Sequence, residues 1–128
     1  MIYLDSSVAL AHLLSEDRAP PETLWSSTLV ASRLLEYEVW NRINTRRLGR
    51  SHGEAARALI SRLALIELVP SVLARALEPF PVSVRTLDAL HLASIEFLRA
   101  RRQVVELASY DERLLAAARA LSIPLAQV

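Results

Sequence analysis

Short apolar runs alternate along the chain with longer segments in which apolar residues recur every third or fourth position. The short runs are rich in Ile, Val, Leu and Tyr and end at polar residues or proline, which is typical of buried strands. They predict β-strands at 2–4, 29–31, 66–69 and 104–109, with 124–127 as a further edge strand. The longer segments between them predict helices.

Residues that commonly begin and end helices divide these longer segments. The predicted N-caps are Ser6 or Ser7, Ser32, Ser51, Thr86 and Ser109, the last with Glu112 as a capping box. Gly49 predicts one helix end, and the pair Pro79 and Pro81 predicts another. The predicted helices cover 7–14, 21–26, 33–48, 52–65, 72–78, 87–100 and 110–121.

Short strands that alternate with helices predict an α/β fold, in which helices cover both faces of a mostly parallel sheet. We therefore expect a three-layer sandwich with a short, mostly parallel central sheet flanked by helices. The chain has 128 residues, with no internal repeat and no linker long enough to separate two units. This length is typical of one domain, so we expect residues 1–128 to form a single domain.

The composition excludes several kinds of chemistry. There is no cysteine, which excludes disulfides, a thiolate nucleophile and a cysteine-based zinc site. All 15 basic residues are arginine, which excludes a catalytic lysine. Hydrophobic residues make up 52% of the chain, which suggests that a partner, such as a second copy, covers part of the apolar surface. No apolar stretch approaches membrane-spanning length, so we expect a cytoplasmic protein that contacts no membrane.

Three of the four aspartates lie close to the start of a predicted helix. Asp5 follows the first strand and Asp111 follows the strand at 104–109, which places both at the carboxyl edge of a parallel sheet, where ligands bind in open α/β folds. Asp88 lies in the first turn of an apolar helix and on its apolar stripe. The alternative is that each carboxylate only caps a helix or complements its dipole.

Glu38 shares the inward face of its predicted helix, because it follows Leu34 by four residues and Leu35 by three. A carboxylate on that face must be paired, protonated or bound to a cation, since burying it alone is very costly. One interpretation is an ion pair with Arg42, one turn later. The other is that Glu38 joins the aspartates at the sheet edge.

Two acids at the sheet edge and two on helices can converge on one crevice, namely Asp5, Asp111, Glu38 and Asp88. Several adjacent carboxylates cannot all stay ionised without a cation. A hard, oxygen-preferring ion such as Mg²⁺ or Mn²⁺ suits such a cluster. A divalent ion there can activate water and stabilise the charge of an in-line phosphoryl displacement.

Arginines near these acids are candidates for contacts with phosphate groups of a substrate. Arg42 and Arg46 recur one turn apart on one predicted helix, and Arg85 lies just before another. A solvated helix face or a contact with a protein partner explains the first two equally well. His91, one turn after Asp88, is predicted to be a packed or hydrogen-bonded structural histidine rather than a metal ligand.

Four motifs are distributed along the chain, and the third is the most specific. They are Met1-Ile-Tyr-Leu-Asp-Ser-Ser7, Ser32-x-Leu-x-x-x-Glu38-Val, Arg85-Thr-Leu-Asp-Ala-Leu-His-Leu-Ala93 and Ser109-Tyr-Asp111-x-Arg-Leu. In order, spacing and chain length they resemble the PIN domain, in particular the VapC-type toxins of type II toxin–antitoxin pairs.

The resemblance implies a Mg²⁺- or Mn²⁺-dependent endoribonuclease that acts as the toxin of such a pair. It would hydrolyse RNA phosphodiesters through metal-activated water. The resemblance also implies that Asp5 and Asp88 are the main metal ligands. Glu38 and Asp111 would complete the catalytic set, binding the ion directly or through waters.

Supporting residues and partners are implied in the same way. Ser6 matches a position beside the first acid, and Ser109 matches the Ser or Thr before the last one. The family resemblance further implies a homodimer. It also implies an antitoxin protein that lies across the active-site groove.

Two other function classes fit a similar fold. A receiver or phosphatase domain also uses aspartates at the sheet edge. The phosphatase pattern, however, requires a second acid where this chain has Ser7, and the receiver pattern requires a lysine. The main alternative is a catalytically silent PIN-like module that binds RNA or a protein. Metal-dependent cleavage of RNA distinguishes the nuclease from that module.

Overall fold

The computed structural model describes all residues from 1 to 128 and contains four strands, six α-helices and a short 3₁₀ helix. The strands are β1 Ile2–Leu4, β2 Leu29–Ser32, β3 Ala64–Ile66 and β4 Glu106–Ala108. The α-helices are α1 Ser6–Leu13, α2 Leu34–Thr45, α3 Gly49–Ser61, α4 Pro70–Ala76, α5 Thr86–Ala100 and α6 Glu112–Ala120, and the 3₁₀ helix is Glu22–Ser26.

All four strands run parallel in one sheet with the order β3-β2-β1-β4. Ile2 of β1 lies opposite Leu29 of β2 on one side and Glu106 of β4 on the other. The predicted α/β fold with a parallel central sheet flanked by helices is therefore confirmed. Because β1 is an inner strand, residues that follow it lie at the middle of the carboxyl edge.

Helices cover both faces of this sheet, and each face has its own apolar cluster. Side chains alternate between the faces along each strand, as the two-residue period of a strand requires. One cluster receives Tyr3, Val30 and Leu107, and the other receives Leu4, Ala31 and Ala108. Burial on both faces explains why these strands are apolar runs in the sequence rather than alternating patterns.

The predicted boundary between the second and third α-helices was wrong. Gly49 was expected to end the first of them, but Arg47 does so in the left-handed conformation, with φ 56°. The Leu48 N–H then donates to the Ile43 carbonyl at 2.9 Å, which closes a Schellman-type end. Gly49 is instead the first residue of α3, so Ser51 lies inside that helix.

Two predicted strands are also corrected. The strand expected at 66–69 is formed by Ala64–Ile66, since α3 ends at Ser61 and the chain enters the sheet earlier. The edge strand expected at 124–127 is reduced to a single bridge between Leu107 and Leu125. None of the helices combines the length and the apolar character needed to cross a membrane.

Candidate active site

A cleft of about 730 Å³ opens at the carboxyl ends of β1 and β4. The four predicted acids, Asp5, Glu38, Asp88 and Asp111, all line it. Asp5 directly follows β1, and the turn that leads to Asp111 follows β4, the adjacent strand. The parallel sheet therefore brings together side chains that are up to 106 positions apart, counted as 111 minus 5.

Asp5 is buried and held by two hydroxyl groups. Its Oδ2 accepts hydrogen bonds from Ser7 Oγ at 2.6 Å and from Ser109 Oγ at 2.8 Å. Ser7 Oγ also accepts the Tyr110 N–H at 2.9 Å, and Ser109 Oγ accepts the Asp111 N–H at 3.0 Å. These contacts fasten the end of β4 to the end of β1 and fix the orientation of the Asp5 carboxylate.

The two serines after β1 have different roles. Ser6, the predicted supporting residue, is buried and lines the cleft, but its side chain makes no hydrogen bond within the chain. Ser7 makes the contact with Asp5 instead. The sequence offered two adjacent hydroxyl groups, and only the direction in which α1 leaves the strand decides between them.

Asp111 is the N-cap of α6, so the predicted capping box from Ser109 to Glu112 was wrong. Its Oδ1 accepts the N–H groups of Arg113 at 2.9 Å and of Leu114 at 3.4 Å. Ser109 lies two residues before this cap, and its hydroxyl group donates to Asp5 and accepts the Asp111 N–H instead of an N–H group of α6. Asp111 is exposed at the rim of the cleft, and its Oδ2 makes no hydrogen bond within the chain.

Asp88 is buried in the first turn of α5. Its Oδ2 accepts the backbone N–H of Arg85 at 3.4 Å, so α5 begins one residue earlier than predicted. Burial raises the pKa of Asp88, and the negative charges of Asp111 and Asp5 raise it further, although the Arg85 hydrogen bond opposes the change. The carboxylates across the cleft therefore repel one another.

Glu38 pairs with a histidine rather than with Arg42. Its Oε1 lies 2.7 Å from His91 Nε2, and the predicted alternative of an ion pair with Arg42 does not form. The imidazole ring is buried, and its Nδ1 lies 2.7 Å from the hydroxyl group of Tyr3. His91 is thus a hydrogen-bonded histidine, as the sequence predicted.

The charge of His91 depends on the same neighbours. Burial by itself lowers the pKa of the imidazole. The hydrogen bond that His91 donates to Glu38, together with the negative charges of Glu38, Asp5 and Asp88, outweighs this effect, so the pKa of His91 is raised overall. His91 Nε2 also lies 3.8 Å from Asp5 Oδ1, too far for a hydrogen bond but close enough for attraction.

Three arginines surround the acids, namely Arg18, Arg42 and Arg85. None of them forms an ion pair within the chain. Arg46, which was also predicted to contact phosphate, is exposed directly after α2 and does not line the cleft. Sequence analysis missed Arg18 because its segment, 15–21, has the composition of an ordinary polar loop. In the structure its guanidinium lies 4.1 Å from the centre of the Tyr110 ring.

The oxygen atoms left over in this cleft are suitable ligands for a hard cation. Asp5 Oδ1, Glu38 Oε2 and Asp88 Oδ1 accept no hydrogen bond within the chain. None of them is a buried atom without a partner, so all three reach solvent in the cleft. Carboxylate oxygens are what Mg²⁺ and Mn²⁺ prefer. No three acidic or histidine side chains, however, lie close enough to form a ready-made metal-binding group.

Known proteins resemble this chain in both sequence and structure. The family model for the PIN domain matches residues 2–121. Ribonuclease VapC47 of Mycobacterium tuberculosis (strain CDC 1551 / Oshkosh) is 30% identical over 129 aligned positions, which cover 93% of this chain and 90% of the relative. A chain of a toxin–antitoxin complex from Klebsiella pneumoniae has a TM-score of 0.65 at 15% identity, with 94% of each chain covered. At that identity the match supports the fold alone.

Proposed function

The chain belongs to the PIN domain family, and we propose that residues 1–128 form a single PIN domain that cleaves RNA as the toxin of a type II toxin–antitoxin pair in the cytoplasm. One observation carries the proposal: four carboxylates from four separate elements line one cleft at the carboxyl edge of the sheet. The ribonuclease name of the relative supports the proposal, and the structural match supports the fold that forms the cleft.

We propose Mg²⁺ or Mn²⁺ as the cofactor. Asp5 and Asp88 would be the main ligands, and Glu38 and Asp111 would complete the set directly or through waters. A bound divalent ion would supply Lewis-acid activation of water and of the scissile phosphate. Because no three of these side chains form a ready-made group, their rotamers must adjust when the ion enters. Burial raises the pKa of Asp88, and the repulsion by Asp111 and Asp5 that raises it further favours the binding of a cation.

The chain's own side chains would handle the proton and the substrate. Asp111 stands exposed at the rim, and Glu38 turns one free oxygen into the cleft, so either can orient the attacking water and accept its proton. Ser7 and Ser109 hold the Asp5 carboxylate still while this happens. Asp5, held in this way, needs little reorganisation during the reaction.

Arg18, Arg42 and Arg85 would bind RNA phosphates on either side of the scissile bond. Their guanidinium groups have no acidic partner within the chain and lie next to an acidic floor. A polyanion entering this cleft gains contacts at the rim, and these contacts position the phosphodiester above the acids. Such a local group of arginines would let a chain with a net charge of only +1 bind RNA.

We further propose a homodimer and an antitoxin partner. An apolar groove of about 730 Å³ runs between α4 and the start of α5, and Leu77 beside it is 89% exposed. Leu73 and Val82 in the same groove are also exposed. Arg85 lines both this groove and the acidic cleft, so a protein bound in the groove would reach the active site.

The function is tested by incubating the purified protein with single-stranded RNA of mixed sequence. We expect cleavage with Mg²⁺ or Mn²⁺, none with excess chelator, and recovery when the metal is restored. Asp5→Asn should remove cleavage, whereas Glu54→Gln, which removes an exposed acid on α3, should not. RNA binding without cleavage under every metal condition would instead support the catalytically silent module.

Arg42→Gln should weaken substrate binding more than catalysis. We expect KM for RNA to rise by roughly three- to tenfold and the salt dependence of binding to fall by about one unit, since one phosphate contact is lost. Arg119→Gln is the matched control, because Arg119 is exposed on α6, outside the cleft, and its side chain makes no ion pair within the chain. Equal KM values for the two variants would contradict the phosphate role of Arg42.

A further inference from the structure

A buried hydrogen-bonded chain leads from the sheet into the cleft through Tyr3, His91 and Glu38. We propose that His91 is a positioning residue that holds the carboxylate of Glu38 in its working orientation, and that Tyr3 in turn holds His91. The catalytic part of this inference rests on the function proposed above. Neither residue touches the substrate in this scheme, because both are almost completely buried.

The contact with Glu38 uses only one carboxylate oxygen. His91 Nε2 lies 2.7 Å from Oε1, and Oε2 remains free in the cleft. A glutamate side chain has several rotatable bonds, so an unheld Glu38 would sample many positions. One fixed donor removes most of that freedom and leaves the other oxygen available.

The contact with Tyr3 determines that the imidazole nitrogen facing Glu38, Nε2, carries a proton. The Tyr3 oxygen accepts the backbone N–H of Ser32 at 3.2 Å and lies 2.7 Å from His91 Nδ1. In the neutral ring, the tyrosine proton is donated to Nδ1, which leaves the ring proton on Nε2. In the charged ring, both nitrogens carry protons. In either state, Nε2 donates to Glu38.

The surroundings of His91 distinguish this role from that of a core histidine. Its ring is 2% exposed, and its outer nitrogen faces only the carboxylates of the cleft, those of Glu38 and Asp5. A histidine that served packing alone would have its polar atoms satisfied within the core. Here the inner nitrogen is bonded to the sheet through Tyr3, and the outer nitrogen is bonded to a proposed catalytic residue.

Two amide substitutions distinguish the hydrogen bond of His91 to Glu38 from its hydrogen bond to Tyr3. His91→Gln places an amide N–H near the position of Nε2 and keeps a donor to Glu38. His91→Asn places its amide near Nδ1 and keeps a partner for Tyr3 but does not reach Glu38. With RNA and Mg²⁺, we expect His91→Asn to lower kcat by roughly 10- to 100-fold, with KM nearly unchanged, and His91→Gln to recover most of that loss.

The imidazole nitrogen-15 spectrum of the metal-free protein gives a readout that does not depend on activity. Glu38→Gln should shift the Nε2 resonance of His91, and Tyr3→Phe should shift its Nδ1 resonance. His12 and His52 should keep their resonances in both variants, since His12 packs against Trp25 and His52 contacts Ser51, and neither contacts Tyr3, His91 or Glu38. Denaturant unfolding of each variant is the control that tests whether the folded state is retained.

The outcomes separate this inference from the proposed function. If wild-type protein cuts RNA and His91→Asn matches His91→Gln in kcat, the positioning role is wrong. An unchanged His91 Nε2 resonance in Glu38→Gln also overturns it. If wild-type protein cuts no RNA with either metal, the proposed function fails and takes the catalytic part of the inference with it. The spectrum then still decides whether His91 holds Glu38.

Discussion

Asp88→Asn should lower RNA cleavage by at least about 100-fold, because it removes a preorganised charge aimed at the reacting centre. The same substitution should stabilise the folded protein. Folding does not require an anion at this position, since the carbonyl oxygen of the substituted amide can accept the Arg85 N–H that Asp88 accepts now. An opposite change in activity and stability is the signature of a residue retained for function rather than for folding.

The gain in stability should depend on pH in a defined direction. Burial and the charges of Asp111 and Asp5 raise the pKa of Asp88 in the folded protein. Ionised Asp88 therefore opposes folding above that raised pKa. Below the pKa of the same carboxyl group in the unfolded chain, it is protonated in both states and costs nothing. The advantage of Asp88→Asn should thus be largest at neutral pH and disappear in acid.

Both parts can be measured on one protein preparation. Cleavage of RNA with Mg²⁺ gives the activity, and urea unfolding without metal at a series of pH values gives the stability. Glu54→Gln serves as the control, because Glu54 is an exposed acid on α3 away from the cleft. Full activity in Asp88→Asn, or a loss of stability at neutral pH, would contradict the assignment of Asp88.

Leu107→Ala should lower the free energy of unfolding by about 3 kcal/mol, the usual cost of a cavity in a well-packed core. Leu107 lies on β4, has no exposed surface and packs in the same cluster as Tyr3, Leu92 and Ile95. Activity should also fall, because Ser109, two residues later, holds Asp5 in place.

Val104→Ala is the matched control for this loss. Val104 lies just before β4 and is 80% exposed, so shortening it should change the free energy of unfolding by less than about 0.5 kcal/mol. Denaturant unfolding monitored by circular dichroism measures both variants. Similar losses in the two variants would show that the cluster containing Leu107 is not packed as described.

The overall fold could be predicted from the sequence more accurately than the ends of the helices. Apolar runs separated by helical periodicity identify a parallel sheet, because such strands are buried on both faces. The boundary at Gly49 was wrong because glycine is the usual residue in the left-handed conformation, yet Arg47 takes it here at 56°. The hydrogen bonds that close α2 outweigh that local preference, and α3 begins only two residues after Arg47, at Gly49.

Candidate site residues could be proposed where a local pattern marks them. Asp5 was proposed because it follows a strand, and Glu38 because it lies on an inward helix face. Arg18 could not be proposed, because its loop resembles any exposed polar loop. The sequence also could not show that Glu38 pairs with His91 rather than with Arg42, since His91 and Glu38 lie 53 positions apart.

The sequence by itself determined that this chain forms strands and helices in alternation and that acids follow the strands, because local periodicity and burial are written into neighbouring residues. Only the tertiary structure decided that Ser7 rather than Ser6 binds Asp5 and that Tyr3, His91 and Glu38 form one chain. The physical reason is that such partners depend on how whole elements pack across the sheet, and short-range patterns carry no information about that packing.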